Sequence, residues 1–129
     1  MNTLSVEVSD ENGLSFELLV DGQPISRWLV DGNEGIPYWI VDDGLPTLPP
    51  GEPSADPSIR IVSVCSCGEY GCGHSRCKVR EEGDAIIFES FLGDVASSGR
   101  KAQFRFPRPQ YEQVSRLISE QARARRAGA

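Results

Sequence analysis

Cys65, Cys67, Cys72, His74 and Cys77 are all of the cysteines and the single histidine of this chain, and they fall within thirteen residues. Thiolate and imidazole are the ligands zinc prefers, about four of them in a tetrahedron at roughly 2.0–2.3 Å, so this run is where a metal centre would be built. Its spacing is Cys-x-Cys, four residues, Cys-x-His, two residues, Cys. Zinc knuckles instead use Cys-x2-Cys, which lets two thiolates wrap one ion from a single turn. The same residues admit three other chemistries: inert buried thiols, a bridge between Cys67 and Cys72 across a hairpin, or a thiolate nucleophile at Cys65 paired with His74. For catalysis the run shows neither an orienting third group nor an oxyanion hole. Glu69 could serve as a base on a zinc-bound water, although a glutamate between turn glycines is ordinarily just solvated. A structural zinc at the five ligands is the expectation, and a zinc-dependent or thiol enzyme using the same cluster is the alternative.

Such a site needs strands to hold it. A strand entering at Ile59 and running through Cys67, with a turn over 68–71, would set Cys67 opposite Cys72 and Cys65 opposite His74. Strand side chains alternate faces, so these four would share one. Cys77 falls on the other parity unless a bulge at Gly73 or a turn at Ser75 re-aims it.

Two-residue periodicity continues on both sides of the run. Leu4, Val6 and Val8 alternate with polar residues, as do Phe16, Leu18 and Val20, and Asp21-Gly22 predicts a tight turn into a strand over Ile25 to Val30. Residues 42–58 contain five prolines, which break helices and remove ladder donors, so an exposed, mobile loop is expected there. Beyond it, Ile59 to Cys65, Arg76 to Glu82, Ala85 to Leu92 and Ala102 to Phe106 read as a second meander, with a turn at Glu82-Gly83-Asp84. From Pro109 the period becomes helical, with Tyr111, Val114, Leu117, Ile118 and Ala122 on one stripe. The sequence therefore predicts a single α+β domain over 1–129: an antiparallel β meander of six to eight strands with one C-terminal amphipathic helix packed on it.

Charge is split unevenly along the chain. Residues 1–59 hold eleven acids against Arg27 alone, a net −10, whereas residues 60–129 carry a net +4, for −6 overall. Either the halves attract one another within the fold or the acidic half offers a face to a basic protein partner. Asp31, Glu34, Asp42 and Asp43, beside Trp28, Tyr38 and Trp39, are the candidate partner-binding residues. The acidic balance argues against nucleic acid, even with Arg123, Arg125 and Arg126 in the tail, since positive charge also suits a helix C-terminus. Without a leader-like N-terminus or a membrane-length apolar run the expectation is a cytoplasmic protein, where clustered cysteines are more often ligands or free thiols than bridges. Composition and charge together favour a small non-catalytic binding protein of the inhibitor or immunity type.

The stretch Val64-Cys65-Ser66-Cys67-Gly68-Glu69-Tyr70-Gly71-Cys72-Gly73 resembles the signature of a family of small uncharacterised bacterial proteins, seen mostly in actinobacteria. The resemblance extends to the Val-Asp-Gly turns, the proline loop and Phe104-Arg105-Phe106-Pro107 before the helix. It implies a single-domain bacterial protein without an assigned reaction, and it carries over no catalytic residue.

Overall fold

The computed structural model describes residues 1–11, 13–28, 35–47, 56–64, 74–93 and 102–128. Within them the chain forms an α+β fold of eight antiparallel strands and one C-terminal helix. The strands divide into two four-stranded sheets. In the first, β1 (Leu4–Ser9) pairs with β2 (Ser15–Val20) from Leu4↔Val20 to Ser9↔Ser15, and β3 (Gln23–Pro24) and β4 (Ile36–Pro37) share the other edge of β2. In the second, β5 (Ile59–Val64), β6 (His74–Glu82), β7 (Ala85–Gly93) and β8 (Phe104–Pro107) follow one another in order.

Backbone seams join the two sheets. The Asn2 amide donates to the Arg105 carbonyl at 2.7 Å while the Asn2 side-chain oxygen accepts from the Arg105 amide at 2.9 Å, so the entry to β1 lies beside β8. On the other side the Val64 amide donates to the Gly35 carbonyl at 2.9 Å. Edges that would otherwise offer open ladder groups are partly closed in this way, and both sheets face one core. Phe16 and Leu18 from the first sheet, Phe88 and Phe106 from the second, and Ile118 of the helix are all buried in it. Phe88 meets Phe106 edge-on at 5.0 Å and Tyr111 at 5.9 Å, the arrangement favoured by the ring quadrupoles.

Local chemistry explains where the elements begin and end. Asp21 (φ 52°) and Gly22 (φ 80°) both adopt the left-handed conformation that a two-residue hairpin requires, as the sequence predicts. The strand expected over Ile25 to Val30 is not made: β3 stops at Pro24 and Ile25–Trp28 is a 3₁₀ turn, with 29–30 outside the described residues. Pro24 has no amide to continue a ladder, and the turn needs only the fully buried Ile25 to anchor it. The proline-rich segment also departs from expectation in its first half. Asp42, Asp43 and Thr47 are exposed, yet Leu45 is buried in the core and the Pro46 carbonyl accepts from the Ile61 amide at 2.7 Å. Proline lacks a donor but keeps its acceptor, so it can edge β5 without joining the sheet. Residues 48–55 of the loop lie outside the described residues.

Helix α1 spans Arg108–Gly128. Val114, Ile118 and Ala122 are buried as predicted, but Leu117 is 37% exposed and the fourth buried position is Ser119. Spacing at four residues keeps 114, 118 and 122 on one line, and 117 rotates away from it. The Leu4 amide donates to the Gln110 side chain at 2.9 Å, which ties the start of the helix to the first strand.

Candidate functional site

Of the five expected metal ligands, Cys65, Cys67 and Cys72 lie outside the described residues, and His74 and Cys77 stand on β6. The hairpin register pairs Val64 with His74, one residue off the expected pairing of Cys65 with His74. Between Ile61 and Ser63 β5 carries an extra residue, Val62; the register that pairs Ile61 with Arg76 would otherwise run on two residues off the expected one, so the bulge narrows the difference rather than causing it. A bulge of this kind moves everything beyond it by one position.

Cys77 is 1% exposed and belongs to the shared core, two residues along from the fully buried Ser75 on the same face of β6. Burial pushes its thiol well above the ordinary cysteine range. A thiol kept protonated among apolar side chains is neither nucleophile nor ready ligand. His74 and Arg76 alternate onto the opposite face and are half-buried. His74 and Cys77 thus stand on opposite faces of β6. The Arg76 guanidinium has Nη1 3.2 Å from Nε2 of His74. A guanidinium can only donate, so this contact makes Nε2 the acceptor. Among the described residues no three His, Cys, Asp or Glu side chains are grouped so as to hold a metal.

Of the expected partner-binding acids, Asp31 and Glu34 lie outside the described residues, and Asp42 and Asp43 are exposed just beyond the 3₁₀ turn Tyr38–Ile40. The register of the first sheet adds a pair that sequence patterns did not single out. Glu7 on β1 stands directly opposite Glu17 on β2. Both line a groove of about 340 Å³ on the outer face of the sheet, with Ser9, Ser15, Ser26 and Gly35 around them. Like charges placed directly across a strand pair are destabilising. Gly35 (φ 69°) closes one side: a Cβ there would sit 3.1 Å from the Phe16 carbonyl oxygen, so only glycine allows so close an approach. The Ser26 amide reaches Oε1 of Glu17 at 3.4 Å. The available sequence signal was that Glu7 and Glu17 both occupy the polar parity of their strands; which residue faces which had to wait for the register.

The aromatic residues separate into two groups. Trp28 packs edge-on against Phe104 at 5.0 Å and is part of the core margin, whereas Trp39 is 48% exposed. The tail arginines are engaged within the chain. Arg125 pairs with Asp10 and lies over the Tyr38 ring, Arg126 donates to the carbonyls of Tyr38 and Trp39 at 3.3 and 3.1 Å, and Arg123 reaches the Ser119 hydroxyl at 3.3 Å. The outer face of the second sheet is likewise internally paired: Arg80 binds Glu82 and Glu89 at 2.8 Å each, and Arg105 binds Glu82 at 2.9 Å.

Compared with known proteins, the chain matches no family model, no curated protein and no solved structure. No helix among the described residues is long and apolar enough to cross a membrane.

Proposed function

We propose that this is a small non-catalytic cytosolic binding protein that receives a basic protein partner on the outer face of its first sheet, as an inhibitor or immunity protein would. The juxtaposition of Glu7 and Glu17 carries this reading. Two carboxylates on adjacent strands lining one groove concentrate negative potential there, which a lysine or arginine side chain of a partner would meet with favourable sign. Asp42 and Asp43, exposed near Trp39, extend the same sign of charge toward an aromatic anchor of the type enriched at interfaces. An eight-residue lysine-rich peptide serves as the probe. Its binding is expected to weaken about 3- to 10-fold for each charge removed in E7Q and E17Q, and to fade as salt rises toward physiological strength, where the screening length is about 8 Å. Binding that is indifferent to both substitutions and to salt overturns the reading.

Within the same proposal, the cysteine run holds a structural zinc. With Cys77 committed to the core, Cys65, Cys67, Cys72 and His74 are left, and four is the number a closed zinc site takes. Protein purified without chelator is expected to carry about one zinc per chain. H74A should lose the metal and C77A should keep it. Metal-free protein that is fully stable in EDTA, or loss of zinc on C77A in a protein that remains folded, refutes this part.

A further inference from the structure

A groove of about 530 Å³ lies away from the Glu7–Glu17 face, between α1, residues 43–45 and β5. Gly44 makes it possible for the walls to meet. Its φ of 75° and the 3.3 Å that would separate its Cβ from the Ser115 Cβ show a chain segment pressed against the helix. At one end stands Arg60, whose Nη1 donates to the Leu45 carbonyl at 2.8 Å. That bond orients the guanidinium and leaves its other N–H groups for a guest. Beside it is the Tyr111 phenol. Burial raises its pKa, with the Arg60 charge opposing the shift in part, so the hydroxyl stays protonated and able to donate. The Ser115 hydroxyl is near enough to that phenol to offset the rise in part through a weak hydrogen bond, yet its buried Oγ has no partner in good hydrogen-bond geometry. A buried hydroxyl left in that state is unusual enough to call for a guest or a solvent molecule.

Charge narrows the guest. Along the helix wall Glu112, Arg116, Glu120 and Arg123 alternate in sign at three- and four-residue spacing and balance one another. Arg60, half-buried, remains as the cation beside Tyr111, with the exposed Asp43 also on the lining. Such a site suits one negative charge on a planar two-oxygen group, which matches a guanidinium fork. A dianion would meet the surrounding carboxylates.

We propose that this groove binds a small monocarboxylate, its oxygens taken by the free N–H groups of Arg60 and the hydroxyls of Tyr111 and Ser115. The groove shares no residue with the one lined by Glu7 and Glu17, although Asp43 belongs both to its lining and to the acids proposed to meet a partner.

The test is a two-dimensional amide NMR titration of the full chain with sodium benzoate, and in parallel with inorganic phosphate. Benzoate is expected to give saturable shifts at residues 43–45, 60, 111 and 115. Y111F keeps the ring packed on Phe88 and removes only the hydroxyl; it should weaken benzoate about 3- to 10-fold, as loss of one hydrogen bond does. S115A should act in the same direction, and both variants should melt within a few degrees of the parent, which separates lost binding from lost folding. Three results would overturn the proposal: no saturable shift in the groove, benzoate binding unchanged in both variants, or phosphate binding as tightly as benzoate.

Discussion

The outer faces of the two sheets handle charge in opposite ways. On β6–β8, Arg80, Glu82, Glu89 and Arg105 alternate in sign and close on one another through three ion pairs. On β1–β2, Glu7 faces Glu17. One face pairs opposite charges across its strands; the other sets two like charges side by side. Among the described residues the two halves of the chain meet in an ion pair from Arg125 to Asp10, and Lys78 acts on Asp56 through its charge. A long-range net-charge split and a local pairing pattern are different facts, and for binding the local one decides, because exposed charges beyond about 8–10 Å are largely screened.

The comparison fails at its root if the sheets are not one folding unit. Phe16 belongs to the acidic sheet and Phe88 to the paired one, and both are fully buried in the same core. F16A and F88A are each expected to cost about 3–5 kcal/mol. In each variant, denaturant unfolding followed at both sheets should remain a single transition. Two separable transitions would mean two independent sheets.

A smaller effect sharpens the contrast itself. E7Q should stabilise the free protein by about 0.2–1 kcal/mol, since it relieves a like-charge cross-strand pair, while R80A should lose stability because it breaks two pairs. Opposite signs in chemical denaturation support the contrast, and a loss on E7Q contradicts it.

The smallest expected effect is in acid. Hydrogen bonds from Arg80 and then Arg105 hold the Glu82 carboxyl below its usual range. Its folded-state pKa is thus the lower one, so its contribution is fully present above the ordinary glutamate value near 4.5 and is lost as pH falls through the lowered value. Stability measured from pH 7 down to 3 should decline less steeply in E82Q than in the parent. Identical acid limbs would show that the network contributes nothing.

Much of the fold was legible in residue order because its signals are local. Alternation over Phe16, Leu18 and Val20, the Asp21-Gly22 turn and the stripe of Val114, Ile118 and Ala122 each need only neighbours a few positions away to be read. Ile25–Trp28 escaped because a 3₁₀ turn with one apolar anchor has the same short apolar run as a strand. Leu45 escaped because a core place for one leucine within a proline-rich stretch depends on what stands opposite it.

By itself the sequence determined the element types, the charge split and the collection of soft ligands in one run, all of which follow from covalent order and side-chain chemistry. Which charges face one another, and which sulfur is lost to the core, depended on strand register. The alternation of faces along β6 set Cys77 in the core, on the other side of the strand from His74, and pairing across β1 and β2 set Glu7 against Glu17. Register is chosen by the burial of whole strand faces against one shared core, a cooperative energy that no single segment carries.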